Sequence, residues 1–435
     1  LAFEPSQTLK SGAAVNIQLK VRNQQATCFI KTNDVEAFSQ ACAEQRLAIE
    51  LKAVGLQTFT SETVHAIYAS SLKIYHKLRN VAQTYQIELF EDDVKPIDRY
   101  IMERFIKGQV AFWGDIHSEA VNKLGRHYDF VSINNAQLKS PSAKKEKSQE
   151  EIIKAEIFEP SPLTVMSIDI ECNEKGELFS IGLHDIASQF ELVLYNQKGV
   201  EKEVSQLQTP DYVSWCANEK ELLQEFVNVI VDQDPDCLVG WNFIGFDIRL
   251  INKAAQRQSV QLSIGRNHEP LQFFDGKSSG RRFPDRAYVP GRIVLDGIDV
   301  LRNATYHFDS FSLNNVSKQL LADQKLNLTE AGGDKLAEIK RLYKEDPLKL
   351  AQYNLQDCVL VSRIFAQENL VDYLITRTQL TGLELDKTGG SVAAFTNLYL
   401  PQMHRKGWIA PNLVEEKDYV HSPGGFVMDS MPGLH

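Results

Sequence analysis

Four acidic residues in this sequence stand where they could share a cation. Asp169 and Glu171 close the run Val165-Met166-Ser167-Ile168-Asp169-Ile170-Glu171. That run is apolar and partly β-branched, and it reads as a strand. Residues two apart on a strand point to one face, so the two acids sit side by side while Ile168 and Ile170 face a core. Adjacent carboxylates repel unless a proton or a cation lies between them. Hard divalent ions such as Mg²⁺ take oxygen ligands of this kind. Asp247 follows in Asn242-x-x-x-Phe246-Asp247, after the apolar run Cys237–Trp241. The C-terminal ends of strands are where α/β sheets place ligand-binding groups. Tyr353 and Asp357 are four residues apart and share one helix face. Each taken singly has an ordinary explanation. The first pair fits a strand leaving the core with solvated acids, Asp247 an acid favoured by a helix N-terminus, and Asp357 a surface acid at chance spacing from a tyrosine.

The set argues for more. Hydrolysis of a phosphodiester at neutral pH needs an activated water and neutralised charge on the leaving oxygen, and two cations about 4 Å apart can supply both. In that reading Asp169 bridges two metal ions, and Glu171, Asp247 and Asp357 complete their shells. Tyr353 orients the attacking water, and Asn242 holds the strand or a water. Phe246 either packs in the core or meets a terminal base.

The elements that must position these groups are legible in outline. Leu178–Leu183 and Phe190–Tyr195 follow the first strand as a meander. Asn218 with Glu221 forms a capping box before an apolar stripe of Leu222, Leu223, Phe226, Val227 and Ile230. Asp247 opens another helix. Residues 265–290 predict a long loop or exposed hairpin, and Ile293–Val300 a further strand with Asp299 at its end in a supporting role. Helices are expected over Phe311–Leu321, over Asp334–Tyr343 and from Pro347 through Val361. Upstream, Val15–Val21 and Ala26–Ile30 read as two strands joined through Asn23-Gln24-Gln25 as a hairpin. Ser71–Tyr85 reads as a helix with Ile74, Leu78, Val81 and Tyr85 on its buried stripe, and Pro96–Ile106 as a second short helix. Phe112 and Trp113 are expected in the core. Residues 139–156 are polar, charged and nearly free of apolar side chains, as in a linker. The fold class is therefore α/β, a mixed sheet flanked by helices preceded by a small mixed α/β domain.

The 435 residues exceed one ordinary core. A net charge of −10 argues against a general polyanion binder. The six cysteines show no CxxC spacing, which suits a reducing, cytoplasmic setting and gives no zinc signal. No apolar run is long enough to span a bilayer. The chain begins at Leu1 and stops at Met431-Pro432-Gly433-Leu434-His435, which reads as a piece cut from a longer protein.

Asp169-Ile170-Glu171, Asn242-x-x-x-Phe246-Asp247 and Tyr353-x-x-x-Asp357 resemble, in order and spacing, the three exonuclease motifs of the family B DNA polymerases. Those motifs belong to the DEDD exonucleases with a tyrosine in the third motif. Arg99–Ile106, Gly389–Phe395 and Pro423–Ser430 are similar to the family's bacterial member, so the resemblance covers nearly the whole chain. It implies an N-terminal domain over 1–156 with its linker at 139–156. A ribonuclease-H-like 3′–5′ exonuclease domain follows over 157–388, then a connecting helix and the start of a palm domain over 389–435.

It further implies a two-metal site for Mg²⁺, with Mn²⁺ as a substitute, and proofreading of a single-stranded DNA 3′ end. Primer–template DNA, the palm, fingers and thumb of the same chain and a sliding clamp are the partners implied for the full protein. No membrane is implied. The palm's catalytic motifs are absent from the sequence. Gly424 and Gly425 resemble the glycine pair between the exonuclease and polymerase regions, with His421-Ser422 where the family has a tyrosine before it, and Cys172 stands where the family more often has threonine. A free-standing exonuclease of this fold and a non-catalytic nucleic-acid binding module are the alternative readings.

Overall fold

The structure, a computed structural model, describes residues 16–20, 24–107, 111–123, 126–139, 163–276, 284–323, 326, 334–387 and 389–413. The chain divides into two compact units, Leu1–Arg22 with Phe105–Ala394, and Asn23–Arg104 with Phe395–His435. Among the described residues no helix is long and apolar enough to cross a membrane.

In the second unit, Ala26–Lys31 pairs antiparallel with Thr63–Ala69 and with Leu89–Phe90, and Glu50–Gln57 pairs with Thr63–Ala69. The expected hairpin between Val15–Val21 and Ala26–Ile30 does not form. Asn16–Lys20 instead pairs in parallel with Arg126–Lys139, Asn16 opposite Phe130. Alternation marks a strand but not its partner, and Asn23-Gln24-Gln25 lacks the glycine that tight hairpins favour. The helix Leu72–Thr84 is capped by Ser71, whose side chain accepts from the Ile74 N–H. Its buried face is Tyr75, Leu78, Val81 and Ala82. Tyr85, expected on that stripe, is exposed and donates its hydroxyl to Glu44. Pro96–Glu103 is helical as the sequence suggests. Nothing is described of the Phe112 and Trp113 side chains, nor of residues 140–162, which hold most of the expected linker.

The acids belong to a six-stranded mixed sheet in the first unit. Its strands are β1 (Val165–Cys172), β2 (Leu178–Asp185), β3 (Phe190–Asn196), β4 (Val213–Cys216), β5 (Cys237–Gly240) and β6 (Ile293–Asp296). Their spatial order is β4-β3-β2-β1-β5-β6. The first three form the expected antiparallel meander. The remaining neighbours pair in parallel, β4 on β3, β5 on β1 and β6 on β5. A parallel partner needs a crossover, and α1 (Glu219–Gln233) and α2 (Arg249–Gln258) serve in two of them. Asn218 caps α1 by accepting from the Glu221 N–H at 3.1 Å, while Glu221 accepts from Ala217 N–H at 2.7 Å. The return bond of the capping box thus lands one residue early.

Strand alternation sorts the sheet into two faces. Met166, Ile168, Ile170, Ile181 and Leu183 bury against Leu222, Phe226 and Ala254 of α1 and α2. On the other face, Val239 and Leu295 pack against Leu360, Val361 and Ile364, and Phe179 and Tyr195 against Leu342 and Leu350. That second face is covered by α4 (Leu313–Leu321), α5 (Lys335–Glu345) and above all α6 (Pro347–Gln367). Asp169 and Glu171 alternate with Ile168 and Ile170, so they face α6.

One strand is shorter than expected. Ile293–Val300 divides at Asp296, and Gly297 begins α3 (Gly297–Asn303). An acid followed by glycine is a helix start, and the Asp296 carboxylate accepts from Ile298 N–H at 3.0 Å. Asp299 therefore lies in the first turn of a helix, not at a strand end. Residues 265–290 do hold a hairpin, Gln272–Phe274 with Arg286–Tyr288.

Candidate active site

Asp169 and Glu171 from β1 meet Asp357 from α6. One carboxylate oxygen from each lies within 4.8 Å of the others. Long burial of α6 makes this meeting reproducible: Leu350, Leu360, Val361 and Ile364 anchor the helix on both sides of Asp357. Its start is fixed by Pro347 in the first turn and by Asp346, which accepts from Lys349 N–H.

Asp247 arrives from the segment that follows β5, the parallel neighbour of β1. The segment after β5 makes one wide π-type turn, Ile244–Ile248, before α2. Such turns are uncommon and recur at functional sites. Asp247 is 2 % exposed, and its carboxylate accepts from the Ile170 backbone N–H at 3.2 Å. Burial first, and then the charge of Asp169, push its carboxyl well above the ordinary carboxylate range. Asn242 shapes this turn: it holds a left-handed φ of 56°, and its carbonyl accepts from Phe246 N–H at 3.0 Å. Gly240 is required here, because a Cβ would lie 2.5 Å from the Phe243 ring and 2.8 Å from the Ile168 carbonyl oxygen. Phe246 is exposed, with 45 % of its surface accessible, so it does not pack in the core.

Tyr353 is buried, and its hydroxyl is hydrogen-bonded to Asp357. Burial, followed by the charges of Asp357, Glu171 and Asp169, pushes the phenol far above its ordinary value, so it keeps its proton. The Lys335 ammonium lies 5.1 Å from the Tyr353 ring centroid. Cys172 is half-buried, and burial with the charges of Glu171, Asp247 and Asp169 pushes its thiol up to about 12. Gly424, Gly425 and His421-Ser422 lie outside the described residues.

The donor set is all carboxylate oxygen, which suits a hard divalent cation over a thiophilic one. The residues fit such an ion.

Sequence reasoning missed four contributors. Asn354, 0 % exposed, donates its amide to Asp169 Oδ2 at 2.8 Å and accepts from Ser180 Oγ at 3.0 Å. Gly182 lies opposite Asp169 across the β1–β2 pair. The signal for Asn354 was present, since it sits three residues before Asp357 on the same helix face.

The fourth is Asp296, whose carboxylate accepts from Ile298 N–H, Asp299 N–H and Ile244 N–H, the last at the start of the turn that carries Asp247. Burial and then Asp299 raise its pKa from 3.8 to about 6. The folded state therefore holds the Asp296 proton more tightly than the unfolded chain, and this residue's contribution to stability falls as pH rises from 3.8 through about 6. Asp296→Asn retains a cap acceptor and removes that pH dependence. Asp296→Ala removes the acceptor and costs about 1–3 kcal/mol at pH 7. Urea denaturation at pH 5 and pH 7 checks both, and equal pH slopes in wild type and Asp296→Asn would refute the assignment.

Comparison with known proteins follows the same line. The description "DNA polymerase family B, exonuclease domain" matches residues 87–316. The chain is 34 % identical to Escherichia coli DNA polymerase II over 96 % of its own length and 49 % of that protein. It is 24 % identical to the Dictyostelium discoideum DNA polymerase delta catalytic subunit over 63 % of this chain and 26 % of that one. The family B DNA polymerase from the archaeon Pyrobaculum calidifontis shares the fold, with a TM-score of 0.61 at 18 % identity over 92 % of this chain and 48 % of that chain. The chain thus spans about half the length or less of these relatives.

Proposed function

We propose that this chain, which belongs to DNA polymerase family B, removes nucleotides from the 3′ end of a DNA strand at the Asp169–Glu171–Asp247–Asp357 centre. The observation that carries the reading is the convergence of Asp169, Glu171 and Asp357 oxygens within 4.8 Å from a strand and a helix. Asp247 adds a fourth carboxylate beside β1, bonded to the Ile170 N–H and close enough to Asp169 to feel its charge.

The residues that would hold divalent cations are these four acids, with Asp169 central because it neighbours all the others in charge or contact. Magnesium is the proposed ion, with manganese as a substitute, on the oxygen-only donor set. When bound, such a pair supplies Lewis-acid activation of water and neutralises charge at the leaving 3′ oxygen. The protein's part is positioning. Tyr353 stays protonated and donates to Asp357, which leaves its hydroxyl oxygen to accept a hydrogen bond from the attacking water. Phe246, exposed beside Asp247, offers a ring face to the terminal base. Asn242 sets the turn from which both project. The products are a nucleoside 5′-monophosphate and a strand shorter by one residue.

We assign the wider setting on the same basis. The whole protein extends primers on a template and uses this centre for proofreading in replication and repair, with a palm, fingers and thumb following the described residues and a sliding clamp as a candidate partner. Gly424 and Gly425 then belong to the link between the two regions. Six free thiols, five of them buried and Cys172 half-buried, suit a cytoplasmic protein.

The test uses a 5′-labelled single strand with Mg²⁺ or Mn²⁺. Wild type is expected to give a ladder of products shortening from the 3′ end, and the Asp169→Ala/Glu171→Ala double variant none. Equal ladders from both, or none from wild type, would reject the proposal.

A further inference from the structure

We infer that Ser180 and Asn354 form a positioning relay that fixes which face of the Asp169 carboxylate is offered to a divalent cation. The inference rests on the exonuclease reading and extends it to two residues outside its motifs.

The geometry admits one arrangement of the amide. A carboxylate only accepts hydrogen bonds, so the group 2.8 Å from Asp169 Oδ2 must be the Asn354 NH₂. That turns the Asn354 carbonyl oxygen toward β2, where the Ser180 hydroxyl donates to it at 3.0 Å. Ser180 and Asn354 are both 0 % exposed, so neither bond has water as a ready substitute. Ser180 pairs with Glu171 across the strands, and Gly182 pairs with Asp169. The relay therefore spans the strand that carries two acids and the helix that carries the third.

Its chemical consequence concerns the lone pairs of Asp169. One lone pair of Oδ2 is committed to Asn354, and rotation of the carboxylate about its Cβ–Cγ bond would break that bond. The oxygens near Glu171 and Asp357 are thereby held toward the cluster instead of averaging over rotamers. A donor to the carboxylate also stabilises its anionic form against the repulsion of its neighbours. Partners that orient metal-ligating carboxylates change metal affinity by roughly 10- to 100-fold when removed.

The experiment measures Mn²⁺ binding by calorimetry on wild type, Asn354→Leu, Ser180→Ala and the double variant, with strand shortening and thermal melting alongside. Asn354→Leu keeps the volume and removes the donor. It is expected to weaken Mn²⁺ binding about 10- to 100-fold while leaving the KM for DNA unchanged. Ser180→Ala is expected to weaken binding less, and to add nothing in the Asn354→Leu background, because Ser180 acts only through the amide. Wild-type Mn²⁺ affinity in Asn354→Leu overturns the relay, as does an additive effect of Ser180→Ala. If Asn354→Leu does not fold, Ser180→Ala decides by itself, and unchanged affinity there overturns the inference. Wild type that neither binds Mn²⁺ nor shortens DNA removes the exonuclease reading itself; wild type that does both while the variants match it removes the relay alone.

Discussion

Asp247→Asn is expected to make the metal-free protein more stable and the exonuclease all but inactive. The stability effect follows from the sign of the pKa shift. Burial and the charge of Asp169 raise the Asp247 carboxyl well above 3.8. Between 3.8 and that raised value the folded protein binds more protons than the unfolded chain, so stability falls as pH climbs through the window. At neutral pH, above the ordinary carboxylate range, wild type has lost stability to this shift that an amide at the same position does not lose. Asn keeps an oxygen to accept from Ile170 N–H, so the bond at 3.2 Å survives the substitution. In chelator at pH 7–8 the variant should melt higher than wild type, by about 2–4 °C for each kcal/mol relieved in a unit of this size. Adding Mg²⁺ or Mn²⁺ should raise the wild-type melting temperature, because an ion that binds only the folded state stabilises it, and should raise the variant's less. Activity should fall by more than the roughly 100-fold typical of residues that merely support a metal ligand. Calorimetric melts with and without metal, paired with strand-shortening assays, read both arms. A variant that melts below wild type in chelator would contradict the electrostatic account.

How much of this site could be read from the sequence depends on the range of the interaction involved. Asp169 and Glu171 were legible because strand alternation is local: the same pattern that buries Ile168 and Ile170 places the acids opposite them. Tyr353 and Asp357 were legible for the helical version of that reason. The ordered set of motifs also fixed the family and the α/β class. What stayed hidden was decided by contacts between distant segments. The Val15–Val21 strand was found but given the wrong partner, since register with Arg126–Lys139 leaves no local trace. Ile293–Val300 looked like one strand because its apolar residues run on through Asp296. The capping acid and the glycine after it outweighed that pattern, and they turned Asp299 into a helix residue. Asn354 was written in the same run as Tyr353 and Asp357, yet its role needs Ser180 from β2. Asp296 is the clearest case, because its importance lies in a bond to the Ile244 N–H fifty-two positions earlier in the numbering, which no spacing rule connects.

Gly182 shows the same point through an absence of side chain, and Gly182→Ala is expected to be among the most damaging single-methyl changes in the molecule. Gly182 faces α6 directly beside Asp169. A Cβ there would lie 2.9 Å from Cys358 Sγ and 3.0 Å from Asn354 Oδ1. Neither neighbour has room to yield: Cys358 and Asn354 are both 0 % exposed, and Asn354 is held by Ser180 and Asp169. The added methyl must therefore push α6 away from β2 or strip the amide from Asp169. Overpacking of a filled interior costs about 1–3 kcal/mol. The functional cost should be larger in proportion, because α6 carries Asp357 and Tyr353, and a displacement near 1 Å at a reacting centre can cost roughly 100-fold in rate. A compensating change separates this from general damage. Cys358→Ala removes the closer of the two clashing atoms, so Gly182→Ala/Cys358→Ala should recover a substantial part of both stability and exonuclease rate, while Cys358→Ala alone should cost only a cavity the size of one sulfur. If the double variant is no better than Gly182→Ala in urea denaturation and in strand shortening, the close approach of β2 to α6 is not what the glycine serves.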